Sequence, residues 1–186
     1  MFFNIVSLRY AKALIDLCNE ENLTDEVYND MKEMKNLLFE SYELRNFLKT
    51  PQIDDKTKSR LIKKIFEPHF QQLTVSFFTL LIRKGRSNLI IYIVLQLIDL
   101  YREQTGIVVA QVKTATPLTE AMRQKIIDKV RAATGREQVE LEEMVDKTLL
   151  GGFKLYYNGK SYDASVKKEL EKIKSVLTDK NKYQSC

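Results

Sequence analysis

The stretch Val145–Val166, VDKTLLGGFKLYYNGKSYDASV, decides the fold of the second half of the chain. In residues 153–157, apolar or aromatic side chains at odd positions alternate with Lys154 and a tyrosine, which is the period of a half-buried strand. Asn158-Gly159 tolerates positive φ at both positions of a two-residue hairpin turn, so the following residues are expected to pair back. Gly151-Gly152 permits a tight turn or the close approach of another backbone. These features describe a scaffold rather than a catalytic motif.

The flanking segments predict the rest of a small α/β domain. The segment Asp163-Ala164-Ser165 offers N-cap side chains for a closing helix that runs from Ser165 to about Leu177. Upstream, residues 108–114 and 139–145 both have strand alternation, and Thr119 begins an amphipathic helix between them. The closing helix places its apolar residues on one face: Val166, Leu170, Ile173, Val176 and Leu177.

The first part of the chain has helical periodicity throughout. Helix starts are predicted at Thr24 or Asp25, Ser41, Asp54 or Asp55, and Ser87 or Asn88. The sequence therefore predicts a mainly α-helical protein. Its parts are a six-helix bundle in residues 1–104, a small α/β domain in residues 105–178 and a polar tail in residues 179–186.

Two of the predicted helices have more apolar surface than one core needs. In the first helix (residues 4–21) and the fifth (residues 72–84), apolar residues cover an arc of roughly 220°, whereas packing against one core needs a stripe of only about 100° or somewhat more. Serine, threonine and arginine at 76, 79 and 83 form the polar sector of the fifth helix. The extra apolar surface is either buried within the bundle or left for a partner.

Composition excludes several functional classes. The 186 residues are 44% hydrophobic and 30% charged, as in an ordinary soluble protein. The formal net charge of +5 raises the alternative of a basic nucleic-acid-binding adaptor, although the basic residues form no single patch. Cys18 and Cys186 form no metal-ligand or disulfide pattern, and no catalytic, cofactor-binding or metal-binding motif is present. The lack of a targeting signal predicts a cytoplasmic protein.

Short motifs then occur in a characteristic order along nearly the whole chain. They are Arg9–Leu14 (RYAKAL), Gly85-Arg86, Thr105-Gly106, Thr114–Leu118 (TATPL), Val145-Asp146, Leu150–Gly152 and Asp163–Val166. In this order and spacing the chain resembles the delta subunits of bacterial F-type ATP synthases, whose mitochondrial relative is the oligomycin-sensitivity-conferring protein.

The resemblance implies a non-catalytic stator subunit without cofactors, peripheral at the cytoplasmic face of the bacterial cell membrane. The helical bundle would bind the amino-terminal helices of the alpha subunits of the catalytic head. The α/β domain would contact the carboxy-terminal ends of the b-subunit stalk, so that the head resists the torque of the rotor. The residues implied for the alpha-subunit groove, between the first and fifth helices, are Tyr10, Ala13, Leu14, Leu80 and Lys84. Those implied for the stalk contact are Val166, Leu170, Ile173 and Leu177, for which a place in the domain core is the alternative.

Overall fold

The computed structural model describes the backbone of residues 2–180 and the side chains of residues 5–175. The chain is mainly helical, with a small four-stranded sheet in its carboxy-terminal part. It divides into two compact units, Met1–Thr105 and Gly106–Cys186. Residues 181–186 of the predicted polar tail lie outside the described part.

The amino-terminal unit is built from helices joined by short turns. A 3-10 turn, Ser87–Leu89, directly precedes the last of them. The helices are α1 (Phe2–Glu21), α2 (Thr24–Glu40), α3 (Tyr42–Lys49), α4 (Asp55–Phe66), α5 (Gln72–Arg83) and α6 (Ile90–Thr105).

The helix starts follow local capping chemistry in some places and tertiary contacts in others. Ser41 Oγ accepts a hydrogen bond from the Leu44 amide at 3.0 Å, and Asp54 Oδ2 accepts one from the Thr57 amide at 2.9 Å, which confirms both predicted caps. The predicted cap at Thr24 or Asp25 is wrong, because Leu23 holds the N-cap position without a side-chain hydrogen bond. The Asp25 carboxylate instead accepts a hydrogen bond from the Tyr101 hydroxyl at 2.5 Å.

The start predicted for the sixth helix at Ser87 or Asn88 is also wrong, since α6 begins at Ile90 after the 3-10 turn. The Ser87 hydroxyl donates to the Leu48 carbonyl at 2.6 Å rather than capping a helix. The buried ammonium of Lys58 donates to the Thr50 carbonyl at 2.6 Å, within the same cluster. Buried polar groups require such partners. These hydrogen bonds connect the turn to α3 and α4.

Buried apolar side chains form the core of the amino-terminal unit. Its largest fully buried side chains include Phe78, Met31, Met34, Ile62 and Ile93. Cys18 is buried among them, as its position on an apolar helix face predicts, and burial with the nearby Glu21 and Asp30 carboxylates raises its pKa to about 11. The thiol is therefore protonated at neutral pH and behaves as a small core side chain.

The carboxy-terminal unit has one mixed sheet. Its strands are β1 (Val108–Thr114), β2 (Val139–Val145), β3 (Gly152–Tyr157) and β4 (Lys160–Ser165), in the spatial order β2-β1-β3-β4. The β1–β2 pair is parallel and is connected through α7 (Glu120–Thr134), whereas β1–β3 and β3–β4 are antiparallel. Helix α8 (Val166–Lys180) follows β4.

The β3–β4 hairpin has the predicted turn. Asn158 and Gly159 have φ values of 46° and 72°, as a two-residue turn with both central residues left-handed requires. Gly152 has φ 76°, and a Cβ atom built there would lie 2.2 Å from the Ala164 carbonyl oxygen. The Gly152 position therefore needs glycine for both its backbone angle and the close approach of β4.

The core of the carboxy-terminal unit lies between α7 and one face of the sheet. Its buried residues are Val108, Ala110, Val112, Ile126, Val130 and Leu155. The sheet register places Val139 and Leu141 beside the β1 members of this core, where they are partly buried. No described residue of α8 belongs to this core.

Candidate docking surfaces

A hollow of about 330 Å³ lies between α1 and α5. Apolar side chains form most of its lining, and the residues come only from these two helices. They are Tyr10, Ala13, Leu14 and Leu17 of α1 and Leu73, Ser76, Phe77 and Leu80 of α5.

The hollow has a buried floor and exposed walls. Leu14 is 2% exposed and Phe77 9%, so both lie against the core of the unit. Leu80 and Leu17 stand at the walls, with 45% and 38% of their surface exposed. Ala13 is also exposed, and its small side chain leaves room for another backbone to come close. Exposed apolar walls on a rigid floor form a surface that a helix with apolar residues at positions i, i+3, i+4 and i+7 can fill.

Tyr10 is fixed at the rim of the hollow by two neighbours. Its ring packs edge-on against Phe77, with 6.4 Å between the ring centroids. The Arg86 guanidinium lies 5.3 Å from the Tyr10 ring centroid and donates a hydrogen bond to the Tyr10 hydroxyl. A tyrosine held in this way is a rigid anchor with an apolar face and a polar tip.

The turn after α5 brings Arg86 to Tyr10. Gly85 has φ 66°, its amide donates to the Ile82 carbonyl, and the Arg86 amide donates to the Leu81 carbonyl, both at 2.8 Å. This pair of hydrogen bonds is a Schellman ending, in which the left-handed residue reverses the chain. The Gly85-Arg86 motif therefore shapes the rim of the hollow.

The structure brings together four of the five groove residues predicted from the sequence. Tyr10, Ala13, Leu14 and Leu80 line the hollow, with Leu14 in the floor. Lys84 is exposed just beyond the end of α5 and is not among the lining residues.

Four further lining residues were missing from the prediction: Leu17, Leu73, Ser76 and Phe77. Leu17 lies three residues after Leu14, and Leu73, Phe77 and Leu80 are spaced by four and three, so helical spacing alone could have found these. Assigning Thr79 to the polar sector was wrong, because Thr79 is buried and its hydroxyl donates to the Val75 carbonyl at 2.8 Å. A threonine that bonds back to its own helix can enter a core.

A second apolar surface lies along α8. Val166, Leu170 and Ile173 are 39%, 54% and 56% exposed, so within the carboxy-terminal unit they are not core residues. Leu177, the fourth predicted stalk residue, lies outside the residues whose side chains are described. The helix start is fixed by Ser165, whose Oγ accepts from the Lys168 amide at 3.4 Å. Hydrogen bonds from Ser165 lower the pKa of Asp163 to about 2, so that carboxylate is ionised at neutral pH.

Neither surface contains a set of metal ligands. Within the described residues, no three His, Cys, Asp or Glu side chains are grouped as a metal ion would require. Over the same part of the chain, none of the helices combines the length and the apolar character needed to span a lipid bilayer.

The fold and the two surfaces define a class: a mainly helical protein with a small sheet and an exposed apolar groove between two helices. A family model described as ATP synthase delta (OSCP) subunit matches residues 6–177. The chain belongs to this family.

Individual relatives and one solved structure agree with the family model. The chain is 32% identical over 178 residues to an ATP synthase subunit delta of Crocosphaera subtropica, with 96% of each chain covered. It is also 32% identical over 175 residues to a chloroplastic ATP synthase subunit delta of Guillardia theta, covering 94% of this chain and 95% of that one. A chain of the Toxoplasma gondii mitochondrial ATP synthase hexamer has the same fold, with a TM-score of 0.69 at 23% identity, covering 92% of this chain and 97% of that one.

Family membership determines the general function. The protein is a delta/OSCP subunit of an F-type ATP synthase, a non-catalytic component of the peripheral stalk. The comparisons give no support to the nucleic-acid-binding alternative that the positive net charge suggested.

Proposed function

We propose that the protein is the static joint between the catalytic head and the b-subunit stalk of its ATP synthase. In this proposal residues 1–104 act as a six-helix bundle that holds the amino-terminal helices of alpha subunits, and residues 105–178 contact the carboxy-terminal ends of the b subunits. The joint is peripheral to the membrane, at the cytoplasmic face of a bacterial cell membrane.

The hollow between α1 and α5 is the observation that carries the proposal. A joint that resists torque needs a slow off-rate, which comes from well-packed, desolvated anchors rather than from area alone. Tyr10 at the rim and Leu80 at the wall supply such anchors over a floor that is already packed. Because the floor is formed before a partner arrives, little conformational entropy is lost on binding.

Lys84 has a different part in this proposal. It is exposed one residue after α5 ends, and Arg86 lies at the same end of the helix. An alpha-subunit helix in the hollow would therefore meet positive charge at one end. A rim charge of this kind affects orientation and association rate more than affinity.

The exposed face of α8 supports the second contact. Val166, Leu170 and Ile173 recur at spacings of four and three, so they form one stripe on the helix, the α8 stripe. Apolar side chains that are 39–56% exposed on one stripe suit packing against another helix. The stalk end of a b subunit would fill this role.

The groove is tested with two matched variants. Leu80→Glu places a carboxylate at the wall of the hollow, while Ile65→Glu makes the same kind of change on α4, where Ile65 is 53% exposed and outside the hollow. Both side chains are exposed enough for the fold to survive, which circular dichroism and thermal unfolding would verify. Binding of a peptide from the amino terminus of the same organism's alpha subunit is then measured by calorimetry.

Leu80→Glu is expected to lower the affinity for the peptide by at least about 30-fold, since burying an unpaired carboxylate against apolar side chains costs about 2 kcal/mol or more. Ile65→Glu should bind as the unchanged protein does. Equal affinities for the two variants would remove the groove assignment while leaving family membership intact.

A further inference from the structure

A second hollow, of about 640 Å³, lies between α4 and α5. Its lining is unlike that of the hollow between α1 and α5, which is called the helix groove below. Its lining is dominated by charged and hydroxyl-bearing side chains. They are Asp55, Lys56, Ser59, Arg60 and Lys63 of α4 and Thr79 and Arg83 of α5. A volume of several hundred Å³ is in the range of small-molecule sites.

Four cations surround this hollow. On α4, Lys56, Arg60 and Lys63 are spaced by four and three residues, which places them on one face, while Arg83 is contributed by α5. Asp55 is the only carboxylate of the lining, so the lining carries a formal charge of +3. Among the described residues, no carboxylate lies within salt-bridge distance of the four cations. Like charges gathered without counter-ions repel each other, and an anion would relieve that repulsion.

Ser59 gives independent evidence at the same place. Its side chain is 7% exposed, yet its hydroxyl has no hydrogen-bond partner in the described structure. Buried hydroxyl groups are nearly always satisfied by a protein group, an ordered water or a ligand, so Ser59 is expected to take one of these as a partner. The neighbouring Thr79 hydroxyl already donates to the Val75 carbonyl, so Ser59 carries the hydroxyl of the lining that has no hydrogen-bond partner.

We propose that this hollow, the basic hollow, binds a compact phosphate anion of the inorganic diphosphate class. Guanidinium groups fit phosphate oxygens in paired hydrogen bonds, and lysine ammonium groups add point charge. The net charge of +3 matches a multiply charged anion better than a monovalent one. No aromatic side chain is among the lining residues to stack on a nucleobase, so the phosphate groups carry the recognition. The site is separate from the helix groove and does not rest on the stator function.

The test compares adjacent lysines on α4. Lys63 lines the basic hollow and Lys64 does not, although both are exposed residues of the same helix, and each change to glutamine removes one charge. Full-length protein is titrated with sodium diphosphate at low ionic strength by calorimetry, alongside Lys63→Gln, Lys64→Gln and Arg60→Gln. Orthophosphate and a glutamate-rich octapeptide are separate titrants.

Diphosphate is expected to bind more tightly than orthophosphate. Arg60→Gln and Lys63→Gln should each weaken diphosphate binding by about tenfold or more, because each variant loses a charge-assisted hydrogen bond to the anion. Lys64→Gln should change the affinity by less than about twofold, as expected for a surface charge screened by solvent. Ser59→Ala should lower the affinity for diphosphate. It should not lower the midpoint of thermal unfolding, because the hydroxyl makes no hydrogen bond within the protein that the change would remove.

Three results would overturn the proposal. The first is no detectable diphosphate binding to the unchanged protein. The second is an equal loss in Lys63→Gln and Lys64→Gln, which would mean that only the net charge matters. The third is binding of the acidic octapeptide but not of diphosphate, which would assign the hollow to a protein partner.

Discussion

The two units of this protein differ in how completely they bury their apolar side chains. The amino-terminal unit buries large side chains such as Phe78, Met31 and Ile93 completely and leaves an apolar hollow above a packed floor. The carboxy-terminal unit has a thin core between α7 and one face of the sheet, and the described apolar residues of α8 stay outside that core.

This difference indicates two kinds of binding surface. The helix groove belongs to a unit whose own core maintains it, so it exists before a partner arrives. The α8 stripe belongs to a 15-residue helix of a length that is marginal in isolation, because helices of this size depend on packing for stability. Under the proposed function, a partner would therefore fill a preformed groove in the first unit and would stabilise the helix itself in the second.

The self-sufficient core of the amino-terminal unit is tested most severely by Phe78→Ala. Phe78 has no exposed surface, and replacing a fully buried phenylalanine by alanine typically costs about 3–5 kcal/mol. Hydrogen exchange read by mass spectrometry should show faster exchange across α1–α6. The same variant should leave exchange in the sheet unchanged, and equal acceleration in both units would show that they unfold together.

The carboxy-terminal unit has a corresponding weak point at Gly152. Gly152→Ala should destabilise the sheet by roughly 2–4 kcal/mol, since a left-handed residue with a Cβ costs about 1–2 kcal/mol and a clash with β4 adds to it. The control is Gly159→Ala, which has a similar φ of 72° but open space around the new Cβ atom. Urea unfolding measures both variants, and equal losses would mean that the close approach of β4 contributes nothing.

The smallest change in stability is expected at the α8 stripe. Because Ile173 is 56% exposed, Ile173→Ala should alter the free energy of unfolding by no more than about 0.5 kcal/mol. The same variant should weaken the binding of a peptide from the carboxy terminus of the b subunit by about fivefold or more, as loss of an interface anchor costs about 1 kcal/mol or more.

Lys172→Ala on the same helix is the matched control for that variant and should bind the peptide normally. A large loss of stability in Ile173→Ala would instead place Ile173 in the fold of the unit. Unchanged peptide affinity in a stable variant would show that the α8 stripe does not contact the stalk.

Much of the fold could be predicted because its signals are local. The Asn158-Gly159 turn, the Ser41 and Asp54 caps and the strand alternation each depend on residues within a few positions of one another. Two of the wrong predictions, both of helix starts, concern side chains with distant partners. Asp25 bonds to Tyr101 and Ser87 to the Leu48 carbonyl, and neither partner could be found from local sequence.

The helix groove likewise combines features that local sequence predicts with features that only the packing of the helices determines. Helical periodicity in the sequence indicated that α1 and α5 have excess apolar surface, and the family resemblance named Tyr10, Ala13, Leu14, Leu80 and Lys84. Which part of that surface is buried depends on how the neighbouring helices pack. The structure places Leu14 and Phe77 in the floor, leaves Leu80 and Leu17 at the walls, and keeps Lys84 outside the lining.

The sequence by itself determined the order of elements, the turn types and the family, because these follow from periodicity, backbone preference and ordered motifs. Only the tertiary structure decided where the hollows lie, that Arg86 holds Tyr10, that Ser59 is buried without a partner and that the α8 stripe is exposed. The physical reason is that burial and pairing are properties of residues far apart in sequence, and only packing of the whole unit brings them together.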